Sequence, residues 1–310
     1  MYKRVLMVTI ALMMAFSGAN AGFRSAGFND RNNNDNYRRD RHDDHGCDRG
    51  KRDYRDRRDR DLRFYALTSD QRLIRFDEDC PEDTKYVGQI VGIGPDTAIV
   101  GIDFRVQDGK LYGVGNAGGI YTIDTNDATA LYVNSLTVPL SGNSFGVDFN
   151  PAADRLRVIS DNGQNLRHNV NTGGVTIADG TLNYTLGTAA TGVTGAAYTN
   201  NDLDANTATT LLDIDTNLDQ VALQVPPNNG TLTATGKLTL DVTSVAGFDI
   251  YSKLRDGVTV DVQAFAALTS AADNKVRLYE INLITGKATN RGRFKTDDAV
   301  IDIAIPLNQR

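Results

Sequence analysis

Short runs of alternating apolar and polar residues dominate the chain after residue 62. Runs such as RLIRFD, GIYTID and VRLYEI have the two-residue period of a β-strand, and breaker clusters such as TNNDLDANT and VPPNNG separate them. Beyond the first 21 residues, no stretch of a dozen residues shows helical periodicity. The pattern predicts an all-β fold.

One of these strand patterns recurs at a nearly constant interval. It reads VGIDF, FGVDF, TGAAY, AGFDI and AVIDI, ending at Phe104, Phe149, Tyr198, Ile250 and Ile303, so the spacings are 45, 49, 52 and 53 residues. Further strand patterns follow each of the first four copies. Five units of about 50 residues, with four short strands each, predict a five-bladed β-propeller.

The order of the patterns at the two ends predicts how the propeller closes. The domain, expected over residues 63–310, opens with FYALT (64–68), a second-strand pattern, and ends with VIDIAI, a first-strand pattern. The C-terminal strand would complete the blade begun by the N-terminal strands, which leaves no unpaired edge. An open β-sandwich is the alternative, but it does not explain this offset.

The N-terminus has the three parts of a secretory signal peptide. Lys3 and Arg4 precede an apolar run of 12 residues, Val5 to Phe16, and the small residues ending at Ala21 suit cleavage. This run is shorter than the roughly 20 residues of a membrane-spanning helix. We expect residues 1–21 to be removed. The mature chain is then expected to be a bacterial protein without a membrane span that is exported to the periplasm or the exterior.

Residues 22–62 differ in composition from the rest of the chain. From residue 23 onward they carry 11 Arg and one Lys against 10 Asp, interleaved with Asn, and few apolar residues. Such a segment cannot bury enough surface to offset the entropy of ordering, so we predict a disordered tail. The net charge of about +2 in this segment is too small to favour binding to nucleic acid. Residues 1–22 also carry +2, so residues 63–310 carry −10, which gives the chain's total of −6.

The two cysteines, Cys47 and Cys80, lie in a chain that is expected to be exported. A disulfide between them would persist outside the cytoplasm, although free thiols remain the alternative. Because Cys47 lies in the tail, this bond would tether the tail to the domain rather than hold its core together.

Several of the strand patterns also resemble a known family. GVDFNPAADRLRVIS (146–160), LYGVGNAGGIYTID and TGAAYTNNDLDANTATTLLDID are similar to the bacterial "domain of unknown function 4394" family over roughly residues 64–306. The resemblance implies an exported, propeller-like protein. It implies no activity, substrate or catalytic residue.

Two motifs match enzyme fingerprints without the required context. GVGNAGG (113–119) fits the dinucleotide pattern G-x-G-x-x-G, and GNSFG (142–146) fits the nucleophile pattern around Ser144. Both patterns need a helix after the motif, whereas strand patterns follow here. We interpret GVGNAGG as a hairpin turn. We do not expect catalysis by Ser144, because a catalytic triad would depend on His168, the only histidine of the domain.

Two groups of oxygen ligands are candidates for a metal. Asp202, Asp204 and Asn206 alternate as in a calcium loop, but the glycine and terminal glutamate of such loops are missing, so an Asx-rich turn is the alternative. The second group is the aspartate that recurs in the inner-strand segment, with Ala197 as the exception: Asp103, Asp148, Asp249 and Asp302. These carboxylates would either accept backbone amides from the next turn and fix their own blade, or ring a channel near the axis and attract a cation.

No cluster in the sequence predicts a specific reaction or cofactor, calcium apart. We expect a monomeric binding or scaffold protein for a protein or small-molecule ligand. The alternative is a metal-dependent propeller hydrolase of lactones or phosphoesters, which would need a central ion held by side chains from several blades.

Overall fold

The computed structural model describes residues 62–295 and 299–309. The predicted leader and the predicted tail, except Leu62, lie outside the described residues. Leu62 is fully buried in the same apolar cluster as Phe64. Leu62, the one described residue of the predicted tail, therefore packs with the core of the domain.

Within the described residues, strands form five four-stranded antiparallel sheets, with one 3-10 turn at Pro227–Asn229. The strands are β1 (Arg63–Thr68), β2 (Arg72–Asp77), β3 (Cys80–Gln89), β4 (Ile99–Phe104), β5 (Leu111–Gly115), β6 (Gly119–Ile123), β7 (Ala130–Ser135), β8 (Phe145–Asn150), β9 (Arg155–Ser160), β10 (Asn165–His168), β11 (Thr176–Ala178), β12 (Val193–Tyr198), β13 (Leu211–Asp215), β14 (Gln220–Gln224), β15 (Leu232–Lys237), β16 (Val242–Arg255), β17 (Val258–Ser270), β18 (Val276–Ile281), β19 (Ala288–Arg293) and β20 (Val300–Ala304).

The five sheets are the blades of a propeller. Blade 1 has the order β20-β1-β2-β3, and blades 2 to 5 contain β4–β7, β8–β11, β12–β15 and β16–β19 in chain order. The inner strands contact one another in a closed ring, β20 to β4, β8, β12, β16 and back to β20. The predicted five-bladed propeller and its closure by the two chain ends are confirmed.

Apolar residues fill the space between successive blades. Five separate clusters of buried side chains lie at the five blade interfaces, including the one that joins blade 5 to blade 1. In that last cluster Phe64 stacks on Phe76 with ring centroids 5.0 Å apart. Each fully buried side chain of this size contributes about 1.5–3 kcal/mol, so both faces of an inner strand stabilise the ring.

The glycine-rich stretch GVGNAGG turns the chain from β5 to β6 around a carboxylate of the protein itself. The backbone N–H groups of Ala117 and Gly119 donate to Asp96, whose Oδ2 also lies 2.7 Å from the Tyr121 hydroxyl. Gly118 has a φ of +95°, which favours glycine. The hairpin interpretation is confirmed, and Asp96 occupies the amides that a phosphate would need.

The same carboxylate explains why alanine is excluded at Gly119. A Cβ there would overlap Asp96 Oδ2 and the Tyr121 ring. We expect Gly119→Ala to lower the free energy of unfolding by about 1–3 kcal/mol, the range for overpacking. Chemical denaturation measures this change. The double variant with Asp96→Ala removes the overlap with the carboxylate and keeps the one with Tyr121, so we expect a less than additive loss, and fully additive losses would contradict a clash with Asp96.

Candidate functional site

The aspartates of the recurring segment lie on the inner strands around the propeller axis. Asp103, Asp148, Asp249 and Asp302 belong to β4, β8, β16 and β20, and each is at most 6% exposed. Ala197 occupies the equivalent place on β12. The equivalence predicted from the sequence is therefore present in the structure.

Each of these carboxylates accepts a backbone N–H from the next inner segment around the ring. The four bonds are Ile102 N to Asp302 (2.8 Å), Phe149 N to Asp103 (2.8 Å), Tyr198 N to Asp148 (3.1 Å) and Ile305 N to Asp249 (2.6 Å). Hydrogen bonds from amides to a carboxylate are stronger than those between neutral groups. The aspartates therefore accept backbone amides, as the structural alternative expected, but the amides belong to the neighbouring blade and not to the next turn of the same blade.

Three of the four carboxylates also converge. One oxygen from each of Asp103, Asp148 and Asp249 lies within 4.8 Å of the other two, and all three residues are buried. Burial raises the pKa of Asp103 and Asp148 well above the usual range, and the neighbouring carboxylates raise it further. Burial likewise raises the pKa of Asp249, to about 7.

This crowding restricts the charge that the axis can carry. Three buried carboxylates this close cannot all ionise without a compensating charge. Either protons or a cation must neutralise part of the group, and oxygen ligands suit hard cations such as Ca²⁺. An ion at Asp103, Asp148 and Asp249 stays a prediction. Asp302 is not one of the three converging carboxylates.

The predicted calcium loop holds a hairpin in place. Asp202 is buried, and its Oδ2 accepts from Thr259 N at 2.9 Å and from Thr259 Oγ1 at 2.6 Å. Asp204 Oδ1 accepts from Asn206 N at 2.7 Å and from the Asn206 side chain. The local geometry is that of Asx turns, and calcium at this loop stays a prediction.

A pair of variants separates these roles of the loop. We expect Asp202→Ala to cost about 1–3 kcal/mol of unfolding free energy, because Thr259 N loses a partly buried acceptor. Asp204→Ala should change stability less, since Asp204 bonds only within its own loop. Thermal denaturation measures both. An equal loss in the two variants that appears only when calcium is present would instead support an ion.

The histidine of the domain is not placed to activate Ser144. His168 is buried, with Nδ1 3.0 Å from Thr176 Oγ1 and Nε2 3.0 Å from Asn134 Oδ1. Burial lowers the pKa of His168 to about 4. Ser144 directly precedes β8, so the helix of a nucleophile elbow is absent at this described position. His168 serves as a core hydrogen-bonding residue.

The structure describes only one of the two cysteines of the predicted disulfide. Cys80 is buried at the first position of β3 and is not a free thiol. Cys47 lies outside the described residues, as does the His- and Asp-containing stretch before it. The pairing of Cys47 with Cys80 therefore stays a prediction.

The sequence pattern did not reveal a cleft at the end of blade 2. It has a volume of about 370 Å³ and is lined by Gly94, Pro95, Ala117, Gly119, Tyr132, Ser135 and Leu136. The Tyr132 side chain is 56% exposed, and its ring packs edge-on against Tyr121. The next residue back along β7, Leu131, is 66% exposed. Exposed apolar residues beside a cleft are typical of binding surfaces.

The interface between blades 3 and 4 contains a buried network of charged side chains. The alternation of apolar and polar residues along the strands did not distinguish these side chains from surface residues. Arg157 is 2% exposed, and its guanidinium donates to Asp179 Oδ2 at 2.7 Å and Asn165 Oδ1 at 2.8 Å. Asp213, on the facing strand β13, is fully buried, and neither of its oxygens has a hydrogen-bond partner.

The ring of blades and its axial carboxylates define the class: a closed five-bladed β-propeller. The family model described as "Domain of unknown function (DUF4394)" matches residues 72–304. The chain therefore belongs to this family, which confirms the resemblance found in the sequence. No curated protein matches the chain. Within the part of the chain that is described, no helix is both long and apolar enough for a membrane crossing.

Solved structures are similar to this chain at low sequence identity. A Lactobacillus plantarum protein is 14% identical and matches over 79% of this chain and 99% of its own, with a TM-score of 0.39. A Bacteroides thetaiotaomicron protein of unknown function is 11% identical and matches over 71% of this chain and 56% of its own, with a TM-score of 0.45. Kuenenia stuttgartiensis hydrazine synthase is 10% identical and matches over 69% of this chain and 53% of its own, with a TM-score of 0.38. This chain thus spans little more than half the length of the last two chains. At these TM-scores the likeness says nothing about function.

Proposed function

We propose that this chain is an exported binding or scaffold protein that presents a ligand site at the loop end of blade 2. The observation that carries the proposal is the open cleft beside the exposed Tyr132. The aspartate ties between blades support it, because they give the cleft a fixed frame. A monomer suffices for this role, since one chain supplies all residues of the cleft.

The chemistry of the cleft favours an uncharged ligand. The amides of Ala117 and Gly119 already bind Asp96, so they are not available to an anionic group. The polar side-chain groups in the lining are the hydroxyls of Ser135 and Tyr132, and the Tyr132 ring offers an apolar face. A small neutral molecule with one apolar face and hydroxyl or amide groups fits this combination.

Two matched variants on one strand test the cleft. A panel of neutral sugars and amides is screened against the mature protein by thermal shift, and binders are measured by calorimetry. We expect Tyr132→Ala to weaken binding by about tenfold or more, the usual effect of losing an aromatic anchor. Leu131→Ala, which removes an exposed side chain outside the lining, should leave binding unchanged. A ligand that binds wild type and Tyr132→Ala equally contradicts the proposed site.

Export is a separate part of the proposal. It is supported by the basic, apolar and small-residue parts of residues 1–21. N-terminal sequencing of protein from the periplasm or medium should begin at Gly22. A cytoplasmic product that retains Met1 would contradict export without affecting the cleft.

A metal-dependent hydrolase of lactones or phosphoesters is the second candidate. It is favoured by the converging oxygens of Asp103, Asp148 and Asp249. Metal analysis of the purified protein should then find a stoichiometric ion that Asp148→Ala removes together with hydrolysis of model lactones or phosphoesters. A bound ion without hydrolysis would leave a structural cation and favour the binding protein.

A further inference from the structure

Two residues depart from the repeat at one blade interface. Asp213 pairs with Ala196, and the equivalent positions in the other blades are uncharged: Thr68, Gly113, Val158 and Ala266. Arg157 pairs with Asp148, where the other blades have large apolar or aromatic residues: Leu67, Tyr112, Leu212 and Phe265. Both departures face the interface between blades 3 and 4. A buried ionisable group at a position that is otherwise uncharged calls for a specific reason.

Asp213 is enclosed without a partner. Its side chain is fully buried, neither oxygen reaches solvent, and neither accepts a hydrogen bond. Burial raises the pKa of Asp213 well above the usual range, while the charge of Arg157 lowers it. The described arrangement is therefore that of the neutral acid.

Arg157 has partners on the other side that it can give up. Its Nη1 donates to Asp179 Oδ2 at 2.7 Å, and its Nη2 donates to Asn228 Oδ1 at 2.9 Å. Asp179 also accepts from Arg167 Nε at 2.7 Å, so it keeps a cationic partner if Arg157 moves away. Asn228 is exposed and belongs to the 3-10 turn between β14 and β15.

We propose that Arg157 and Asp213 form a proton-controlled switch between blades 3 and 4. When Asp213 is protonated, Arg157 holds Asp179 and Asn228, as in the structure. When Asp213 loses its proton to solvent, the guanidinium turns inward to pair with the carboxylate. Asp179 remains bound to Arg167, and Asn228 loses its donor. The exposed turn keeps its bonds from Gly180 N to Asn228 O and from Asn165 Nδ2 to Pro227 O, and it is loosened at the Asn228 side chain.

The other charged groups at this interface leave Asp213 as the remaining partner. Asp215 accepts from the Tyr184 hydroxyl at 2.8 Å and from the backbone amides of Asn217 and Leu218, so its acceptor positions are filled. The charged and titratable groups around the pair are Arg157 of β9, its cross-strand neighbour Asp148 of β8, Arg167 of β10, Asp179 and Tyr184 after β11, Tyr198 of β12 and Asp215 of β13.

Hydrogen–deuterium exchange of residues 225–230 tests the switch. We compare the wild-type full chain at about pH 5 and about pH 9, after correction for intrinsic exchange, and expect about tenfold faster exchange at the higher pH. Asp213→Asn, whose neutral amide stands in for the protonated acid, should remain protected at both values. The tip of the β16–β17 hairpin, at Asp256, is the internal control and should not respond.

A second variant keeps the test independent of local packing at Asp213. Asp213→Ala places at this position the residue that blade 5 already has, Ala266, and should also abolish the pH response. Wild-type exchange that is the same at both pH values would overturn the proposal. So would an undiminished pH response in Asp213→Asn and Asp213→Ala, because the axial carboxylates would then be its source.

Discussion

Removal of residues 299–310 is expected to abolish folding of the propeller. This deletion takes away β20, and with it the inner strand of blade 1. Ile303 and Ile305 are buried in the cluster that joins blades 5 and 1, and Asp302 binds the amide of Ile102 on blade 2. Losing several buried side chains of this size, at about 2–5 kcal/mol each, exceeds the stability of a typical domain.

The measurement is the soluble monomer recovered by size-exclusion chromatography, with circular dichroism of that fraction. We expect an insoluble product, because β1 and its neighbours become open edges that pair between molecules. Deleting residues 308–310 is the control: β20 stays, and the loss of the Gln309 side-chain bonds to Arg63 should cost about 1 kcal/mol. A soluble, folded monomer lacking residues 299–310 would refute closure by the C-terminal strand.

The architecture was predictable because its signal is periodic. Four of the five inner strands have small or apolar residues on both sides of one aspartate, with Ala197 as the exception, and the ends of these segments, such as Phe104 and Phe149, recur at similar spacing. The offset between FYALT and VIDIAI then determines which strands share a blade. Both signals depend on counting along the chain and require no knowledge of side-chain packing.

Alternation alone gave no information about the buried charges. In LLDID (211–215) the polar Asp213 and Asp215 alternate with apolar residues, which indicates one face in solvent. In the propeller both faces of this strand are covered, because blade 3 packs on one and blade 5 on the other. Arg157 in LRVIS is subject to the same ambiguity. Only the placement of neighbouring blades shows that these charges lie in the core.

The axial group was predictable in composition but not in geometry. Equivalent positions in the repeat showed that Asp103, Asp148, Asp249 and Asp302 would lie near the axis. That oxygens of three of them lie within 4.8 Å of one another depends on the three-dimensional placement of the side chains. The sequence likewise could not show that Asp96 fills the glycine loop, since Asp96 precedes that loop in a separate segment.

Acidification is expected to stabilise the protein through this axial group. The pKa of Asp249 is about 7 in the folded state, whereas the ordinary pKa of an aspartate side chain is 3.8, because burial penalises its charge. The folded state therefore binds more protons than the unfolded state between these values. This stabilisation is complete below about pH 4 and is lost as the pH rises through about 7. Burial and the neighbouring carboxylates also raise the pKa of Asp148, so Asp148 contributes to the pH dependence with the same sign.

We expect the melting temperature to fall by roughly 5–10 °C from about pH 5 to about pH 8. Asp148→Asn keeps an acceptor for Tyr198 N and removes one charge, so it should flatten this fall. Asp148→Ala removes the acceptor as well and should cost about 1–3 kcal/mol at either pH. Asp256→Asn, at an exposed hairpin tip, should follow the wild-type pH profile. A wild-type melting temperature that rises toward pH 8 would show that the axial carboxylates are already neutralised by something other than protons. In that event, calcium chelation should restore the fall if the neutralising charge is a bound calcium ion, because the same oxygens must then take up protons.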